Sequence, residues 1–387
     1  MRSKWISRIF GIGATALVTL YAQETPLDQS SIKINLPSDA PIALVSANMG
    51  GSNAQSRGSA TVLDLHMSLT FQNTTGNTIR GVTLLVVAQE VTPGGKGGVT
   101  LPAPLNVEPG QSFTMAVETQ LMRPGRTNGG PLVQVDLDGV LFKDLHFYGK
   151  NRLDSKRALT AYEMEAQRDR QYYKQVLAEK GPGGLQQEML VTIAREVSRP
   201  RINVAVRRHS GPAVSSAAVS GSEHLAQFAF LNFPDAPVEP IRGSAQISGN
   251  EARTPDIEIR NKTHNPIRYA EIGWIVRDPR GAEYLAASVP ASGPSELYLP
   301  PGRSARVLQD SSLRFTGKSG EPVPISGMTA FVSQVEFENG KIWVPDRKSL
   351  QNLQLLRVLA PSTQEQWLMD LYKTKGLKAL VEELNKF

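Results

Sequence analysis

A strict alternation of apolar and polar residues runs from residue 63 to residue 71 (LDLHMSLTF). The apolar positions are Leu63, Leu65, Met67, Leu69 and Phe71. A period of two places one set of side chains on a buried face of a β-strand and leaves the other set in water. The pattern therefore predicts an antiparallel strand with one face in a core.

The features that follow this strand occur in the same order twice. In each case an alternating strand leads to Asn-x-Thr, then to a strand that begins with Ile, then to a Pro-Gly turn. The corresponding segments are 63–81 and 255–268, VEPGQS at 107–112 and LPPGRS at 299–304, and VQVDLDG at 133–139 and SQVEFENG at 333–340. The separation between corresponding segments increases along the chain, by amounts that loop insertions can account for. The preserved order indicates an internal duplication.

Turn signals end the predicted strands. Pro109-Gly110 and Pro301-Gly302 favour a turn before the next strand. Asp138-Gly139 and Asn339-Gly340 are typical of type I′ hairpin turns, so we expect each repeat to end in a hairpin. The fold class predicted is mainly β, with two tandem β-sandwich modules, each followed by α-helical segments.

The helical segments show a different periodicity. In residues 154–180 the apolar stripe consists of Leu159, Tyr162, Ala166, Tyr173 and Val176. The Gly-rich residues 181–184 should end this amphipathic helix, and a short helix is expected at 185–197. Near the C-terminus, Ser362 and Glu365 have the spacing of a capping box ahead of an apolar run that Gly376 should interrupt.

The N-terminus has the pattern of a secretory signal. Arg2, Lys4 and Arg8 precede an apolar stretch at 9–20 and the small residue Ala22. That stretch is shorter than the roughly 20 residues of a membrane-spanning helix. We expect cleavage near Ala22, although the large Leu20 three positions from the cut leaves an uncleaved membrane anchor as an alternative. The protein is expected to be exported, to the periplasm or outside the cell.

The cysteine content and the net charge limit the classes of function that fit this sequence. With no cysteine the exported chain has neither disulfides nor a lipid-linked N-terminal cysteine. The net charge of +6 includes three basic residues of the signal segment, and the remaining surplus is too small to predict nucleic-acid binding. Contact with a membrane is expected only if the N-terminal segment stays attached.

These patterns give a predicted domain organisation. Residues 209–222 have the small, polar composition of a flexible linker, and the apolar run at 225–233 is either an added strand or a segment that docks on a partner. The expected segments are a signal peptide (1–22), a first β-sandwich module (32–150), a helical segment (154–198), a linker with a possible added strand (199–240), a second module (241–348) and C-terminal helices (362–386).

The turn residues of the second repeat resemble a known family. Asn261, Asp278, Gly281, Pro301-Gly302 and Ser304 mark a strand, an Asn-Thr turn, a strand, an Asp-x-x-Gly turn and a Pro-Gly-x-Ser turn. This order resembles FxLYD-type and related immunoglobulin-like modules of bacterial envelope proteins. The first repeat departs from it in the longer, Gly-rich hairpin at 91–99. The resemblance implies an immunoglobulin-like sandwich that binds, spaces or anchors, and it implies no catalytic residue.

Two pairs of acidic residues are candidate contact sites. Asp136 and Asp138 precede one expected hairpin turn, and Glu336 and Glu338 precede the other. Residues two apart on a strand share a face, so each pair could hold a hard cation or a basic partner, or could simply lie on the solvated face. Two carboxylates alone provide too few oxygens for calcium.

A basic cluster is the other candidate contact site. Arg199, Arg201, Arg207 and Arg208 flank the apolar segment INVAV, where they could contact an anionic envelope polymer or lipid headgroups, or remain solvated. The five histidines lack metal-ligand spacing, and we find no nucleophile motif and no cofactor motif. No metal and no cofactor is expected.

Asn73-Thr74-Thr75 and Asn261-Lys262-Thr263 have the form of N-glycosylation sites, but Asn and Thr also stabilise turns, and we favour the turn.

The sequence thus favours an exported, non-catalytic binding or structural protein of the cell envelope, which acts through protein–protein contacts of its β-sandwich modules. Its partner would be a protein or another envelope component. One alternative is a carbohydrate-active or other hydrolase that uses the Asp and Glu pairs at a site between the modules. Another is a spacer tethered by an uncleaved N-terminus.

Overall fold

The computed structural model describes residues 24–125, 131–198, 202–208, 223–292, 297–352, 355 and 361–386. Strands hold 46% of the chain and helices 22%, which confirms the mainly β fold class. The predicted signal segment and the predicted linker at 209–222 lie outside the described residues. No helix within the described ranges is both long enough and apolar enough to cross a membrane.

The strands before the long helix belong to two sheets. One sheet has the order β1-β4-β5-β3 with β8 also paired to β5, and the other has the order β10-β9-β6-β7 with β2 also paired to β9. The bounds are β1 (Glu24–Pro26), β2 (Ile32–Asn35), β3 (Ile42–Asn48), β4 (Asn53–Arg57), β5 (Ala60–Asn73), β6 (Ile79–Val87), β7 (Lys96–Leu101), β8 (Ser112–Pro124), β9 (Val133–Phe142) and β10 (Phe147–Tyr148), with a short 3-10 helix at Gln29–Ser31.

The strands after the long helix belong to two further sheets, with the orders β11-β19-β15-β14-β12 and β13-β20-β16-β17. Strand β18 also pairs with β15, and β21 also pairs with β20. The bounds are β11 (Asn203–Arg208), β12 (His224–Gln227), β13 (Ala229–Leu231), β14 (Val238–Ser248), β15 (Glu251–Asn261), β16 (Ile267–Arg277), β17 (Glu283–Pro290), β18 (Ser304–Val307), β19 (Ser311–Thr316), β20 (Gly327–Phe337) and β21 (Ile342–Trp343). The helices are α1 (Ser155–Ser198), α2 (Arg347–Leu350) and α3 (Thr363–Leu384).

The chain forms two compact units, which we describe separately. The first consists of Met1–Gln72, Leu84–Val99 and Ser112–Leu137. The second consists of Asn73–Thr83, Thr100–Gln111 and Asp138–Phe387. The predicted boundaries of the sandwich modules remain predictions. The geometry that bears most on function lies in the second unit.

Most of strand β5 belongs to the first unit. It pairs antiparallel with β8 from Ala60↔Pro124 to Gln72↔Ser112, and its five predicted apolar side chains are all buried. The strand predicted from the alternation is therefore confirmed. On the exposed face His66 lies against Glu118 and Asp64, and the Glu118 hydrogen bond, followed by the Asp64 hydrogen bond, raises the pKa of His66.

The second unit contains a core to which both sheets of the later half contribute. Trp274 of β16, Ile257 of β15 and Phe315 of β19 are fully buried in one cluster. Phe228 packs edge-on against Trp274, with 5.0 Å between the ring centroids. Burial of such apolar surface is the main stabilising term of a shared core of this kind.

The two Asn-x-Thr turns have the same hydrogen bonds. Asn73 Nδ2 donates to the carbonyl oxygens of Asn77 (2.8 Å) and Val107 (3.0 Å), and Asn261 Nδ2 donates to those of Asn265 (2.8 Å) and Leu299 (3.0 Å). In both turns the Asn Oδ1 accepts from the backbone N–H and the hydroxyl of the residue two positions later. Because both amides are buried and bonded, the turn interpretation is confirmed.

The expected hairpin at Asp138-Gly139 is wrong. Strand β9 runs through both residues without a break, and the chain turns later, where Leu145 N donates to Phe142 O and Phe142 N donates to His146 O, both at 2.9 Å. In the later half the same pair of bonds links Phe337 to Gly340 and Lys341.

The geometry of these hairpins also differs from the type I′ turn that we expected. Gly340 has a positive φ (79°) and Asn339 does not, which is the pattern of a three-residue loop with a bulge. The corresponding residues are therefore Phe142 and Phe337, and Asp136 and Asp138 do not correspond to Glu336 and Glu338.

Both long helices break at a glycine in the left-handed region. Gly181 in α1 has φ 67° and Gly376 in α3 has φ 78°, and the same number of residues separates these glycines as separates Phe142 from Phe337. Such backbone angles favour glycine because it lacks a Cβ. The segments on both sides of each break pack into one apolar cluster, which includes Tyr173, Leu185, Leu368 and Leu380.

Candidate functional site

The predicted acidic pairs do not act as exposed pairs. Asp138 is buried, and its Oδ1 and Oδ2 accept from the backbone N–H groups of Arg152 (2.7 Å) and Leu153 (3.0 Å). Its role in the fold is to hold the loop that leads into α1. Asp136 is half-buried and accepts from the amides of Asn35 (3.0 Å) and Gln134 (2.7 Å).

Glu336 is also buried, and it binds two arginines of the same chain. Its Oε1 accepts from Arg268, and its Oε2 accepts from Arg157 Nη1 at 3.2 Å. The expectation of a solvated face is therefore wrong for Asp138 and Glu336, because both carboxylates have intramolecular donors. Glu338 is exposed and lies in the hairpin turn beyond the end of β20.

The predicted basic cluster is described in part. Arg199 and Arg201 lie outside the described residues. Arg208 donates through Nη2 to the carbonyl oxygens of Pro290 (3.3 Å) and Ser292 (2.7 Å), so its guanidinium connects segments of the fold. Arg207 is exposed on the same strand.

Helix α1 carries two groups of buried charges that the sequence analysis missed. An amphipathic helix normally exposes its charged residues to solvent. Glu163 and Asp169 are nevertheless fully buried, and Arg170 is 4% exposed. By contrast, Tyr162 of the predicted apolar stripe is 41% exposed. Several partners of Glu163, Asp169 and Arg170 lie far away in sequence, at residues 80, 347, 362 and 364, so local periodicity held no signal for them.

The first group, which we call the closed network, consists of Arg168, Asp169, Arg347 and Glu365. Asp169 Oδ1 accepts from Arg168 Nε (2.9 Å) and Arg347 Nη1 (3.2 Å), and its Oδ2 accepts from Arg168 Nη2 (3.0 Å) and Ser362 Oγ (2.5 Å). Both oxygens of this carboxylate thus have two donors each.

The closed network continues through Glu365. Its Oε1 accepts from Arg347 Nη2 (3.1 Å) and the Tyr173 hydroxyl (2.7 Å). Ser362 caps α3 through the Glu365 N–H (3.1 Å), as predicted, while the Glu365 side chain points into the network. Burial, followed by the nearby Glu365 charge, raises the pKa of Tyr173.

The pKa values around the closed network reflect burial and charge. Burial alone would lower the pKa of Arg347, but the Glu365 and Asp169 carboxylates outweigh it and raise that pKa. Burial raises the pKa of Glu165 to about 7; Arg168 opposes this shift, and the Asp169 and Glu271 charges add to it. Glu165 is therefore a carboxyl group that titrates near neutral pH.

The second group, which we call the open group, consists of Arg80, Glu163 and Arg170. Glu163 Oε1 accepts from Arg170 Nη2 (2.6 Å) and Gln167 Nε2 (3.0 Å), and Arg80 Nε lies 3.7 Å from it. Burial lowers the pKa of Arg80, and the Glu163 charge opposes that shift. Glu163 Oε2 is buried and has no hydrogen-bond partner among the described residues.

A cleft of about 740 Å³ lies over the open group. We call it the α1 cleft. Its floor is formed by Arg80, Glu163 and Arg170, and the exposed Lys143 and Lys174 lie at its rim. The rest of the lining is Gln167, Gln171, Gln175 and Ala178.

The lining of the α1 cleft suits binding. It presents four cations against a single carboxylate, and its nine described residues include no Ser, Cys or His and no second carboxylate. No group of three or more His, Cys, Asp or Glu residues in the described ranges could hold a metal ion.

A scan of the sequence against protein-family models finds no match. A search of curated proteins likewise finds no match. The resemblance to immunoglobulin-like envelope modules therefore rests on the turn residues named above.

Proposed function

We propose that this chain is an exported, non-catalytic binding protein of the cell envelope, built from two tandem immunoglobulin-like β-sandwich modules with helical hairpins. The matched turns at Asn73 and Asn261 support the two modules. The basic and apolar pattern at the N-terminus supports export. In this proposal the protein acts through contact with another protein.

The α1 cleft is the observation that carries the proposal. At its floor the Arg170 guanidinium donates to Glu163 and Gln364, so this cation has a fixed position before a partner arrives. Fixed, charged donors beside exposed lysines are features of a recognition surface. The nine described residues of the lining include no Ser, Cys or His.

The hydrolase alternative has less support. A glycosidase needs one carboxyl that gives a proton and a second that acts as nucleophile or base. Both oxygens of Asp138 accept from backbone N–H groups, and both oxygens of Glu336 accept from arginines. The described donors thus use both oxygens of each carboxylate for contacts within the fold.

Affinity capture from envelope extracts tests the proposal. The bait is the exported chain, compared with Lys143→Glu/Lys174→Glu, which reverses the charge at the rim of the α1 cleft. The matched control is Lys375→Glu/Lys378→Glu, because both of these α3 lysines are exposed. We expect a protein that is retained by wild type and by the control and is lost with the rim variant.

Two results would contradict the proposal. One is the absence of any protein retained specifically by wild type. The other is hydrolysis of an envelope glycan that disappears in Glu336→Gln, which would support the hydrolase. The mass of the exported protein shows whether the N-terminal segment is removed, and a full-length, membrane-associated chain would support the tethered spacer.

A further inference from the structure

We infer that a second copy of this chain docks antiparallel on an exposed apolar stripe of α1, so that the protein forms a weak, reversible homodimer. The stripe consists of Gln187, Leu190, Val191 and Ala194, and we call it the α1 stripe. It lies beyond the glycine break, in the segment 182–198, and none of its members belongs to the nine described lining residues of the α1 cleft. The inference is therefore independent of the proposed function.

The α1 stripe has the spacing of one helix face. Its members lie at positions i, i+3, i+4 and i+7, so they adjoin one another along about 10 Å of helix. Leu190 is 52% exposed and Val191 is 46% exposed, and Ala194 is exposed as well. Single exposed apolar side chains are common on protein surfaces, whereas a row of them along one helix face is the pattern of a helix–helix contact.

The C-terminal hairpin shows that the fold does not require apolar residues at these positions. When the two glycine breaks are superposed in sequence, the buried positions coincide. The matched residues are Gly181 and Gly376, Leu185 and Leu380, and Met189 and Leu384. The next two positions are Leu190 and Val191 in α1 but Asn385 and Lys386 at the end of α3, and all four side chains are exposed. Asn385 still has helical backbone angles, so the two pairs occupy comparable places.

The width of the α1 stripe fits a helix as its occupant. On the opposite face of the same segment, Leu185 and Met189 are fully buried in the cluster of the two hairpins. A helix that lies in a membrane surface inserts a broad apolar face, and here that face is already covered. A second helix needs only a narrow row of side chains, because packed helices approach to about 8–10 Å between their axes.

The charges beside the α1 stripe favour a second copy in the antiparallel direction. Glu188 and Arg195 lie on one flank of it, seven positions apart, and Arg195 Nη2 is 3.5 Å from Glu188 Oε1. In a two-fold antiparallel pair centred between Leu190 and Val191 the same flanks adjoin. Each Glu188 then lies within about one helical turn of the second copy's Arg195. A parallel pair would instead place Glu188 beside Glu188.

The same arrangement fits the sizes of the side chains. It sets Leu190 against Val191 and Gln187 against Ala194 in both halves of the contact, so that large residues meet smaller ones, and no residue of the stripe is charged. The contact is short. Two helices that touch over about 20 Å bury on the order of 600 Å² in total, below the roughly 1,200 Å² of a stable interface, so the dimer is weak.

Sedimentation velocity of the full exported chain, from about 10 to about 500 µM, tests the inference. We expect a monomer–dimer equilibrium with a dissociation constant on the order of 100 µM. Leu190→Asn/Val191→Lys introduces the residues of the matched positions in the C-terminal hairpin, and it should raise this constant by about tenfold or more. The control Leu225→Asn/Ile241→Lys changes exposed apolar residues elsewhere and should dimerise as wild type does.

A cross-link tests the direction of the two helices. The chain contains no cysteine, so Val191→Cys provides a single thiol. In the antiparallel pair this position lies beside its own counterpart, close enough for a disulfide, whereas the two copies of residue 187 are about 10 Å apart along the helix axis. We expect a disulfide-linked dimer of Val191→Cys under mild oxidation, and monomers of Gln187→Cys and Leu225→Cys.

The circular dichroism spectrum and melting temperature of Leu190→Asn/Val191→Lys should equal those of wild type. If they do not, the exposed single substitution Ala194→Glu should weaken the dimer in its place. A wild-type chain that stays monomeric over the whole concentration range, or an equal loss of dimer in the control, would overturn the inference.

Two further results would also overturn it. Cross-linking of Gln187→Cys as fast as that of Val191→Cys would indicate a parallel pair. Cosedimentation of the chain with phosphatidylglycerol vesicles that is lost in Leu190→Asn/Val191→Lys would assign the α1 stripe to a membrane surface.

Discussion

The closed network and the open group lie on the same helix and use the same residue types, yet they differ in what surrounds them. In the closed network both oxygens of Asp169 have two donors each from Arg168, Arg347 and Ser362. In the open group, which lies beneath the α1 cleft, Glu163 accepts hydrogen bonds through Oε1. Its Oε2 has no hydrogen-bond partner among the described residues.

This difference shows that a buried charge by itself does not indicate a binding site. A buried ion pair offsets the cost of removing two charges from water, and it contributes little further stability once every group is paired. The closed network therefore connects α1 to α2 and α3. The open group also buries charges, but one oxygen of its carboxylate has no hydrogen-bond partner among the described residues.

The largest expected effect is in the closed network. Asp169→Asn replaces one acceptor oxygen by an NH₂ group that faces Ser362 or arginine donors. We expect a loss of about 3 kcal/mol in the free energy of unfolding. Urea titration followed by circular dichroism measures it, with the exposed α3 substitution Asp370→Asn as the control. A loss equal to that of the control would show that the hydrogen bonds of Asp169 do not stabilise the fold.

The next effect depends on pH and involves Glu165. Its pKa is about 7 in the folded chain and 4.5 for an ordinary glutamate side chain, so the folded state binds more protons between these pH values. Stability should therefore fall as pH rises from about 4.5 to 7. Glu165→Gln should add about 1–2 kcal/mol at pH 8 and little at pH 4.5. Urea titrations at both pH values measure this, and Glu382→Gln should change neither.

A smaller effect is expected in the open group. Glu163→Gln keeps an oxygen that accepts from Arg170 and Gln167. Its NH₂ group replaces Oε2, which accepts no hydrogen bond from the described residues. We expect a loss of about 1 kcal/mol, less than for the matched change at Asp169. The comparison uses the same urea titration. If Glu163→Gln costs as much as Asp169→Asn, the distinction between the two groups is wrong.

The smallest effect on stability is expected at the rim. Lys143→Ala/Lys174→Ala removes exposed side chains, so the free energy of unfolding should change by less than about 0.5 kcal/mol. The same variant should retain less of the protein that wild type captures from envelope extracts. A strong destabilisation would mean that these lysines serve the fold, and binding data from the variant would then need a milder substitution, Lys174→Gln.

The strands and Asn turns were predictable because their signals are local. The alternation at 63–71 and the Asn-x-Thr order each define a structure within a few residues, and both are confirmed. The turn prediction at Asp138-Gly139 was wrong, although this dipeptide is common in turns. Both residues lie within a continuous strand, and the Asp138 carboxylate accepts from the backbone N–H groups of residues 152 and 153.

The open group could not be read from the sequence. Charged residues on an amphipathic helix normally face water, and the partners that bury Arg170 and Glu163 lie at Gln364 and Arg80. Hydrophobic periodicity carries no information about such distant pairings. The hairpin register failed for a related reason, since Leu145 occupies a left-handed position that the sequence would assign to glycine.

The glycine breaks at Gly181 and Gly376 have a consequence for assembly. Each lets a helix fold back on itself, and the apolar faces of the two hairpins cover each other in one cluster. A chain with one such hairpin would need a second molecule to cover this surface, and its folding would depend on concentration. Here both halves of a homodimer-like interface are carried on one polypeptide, so dilution cannot separate them.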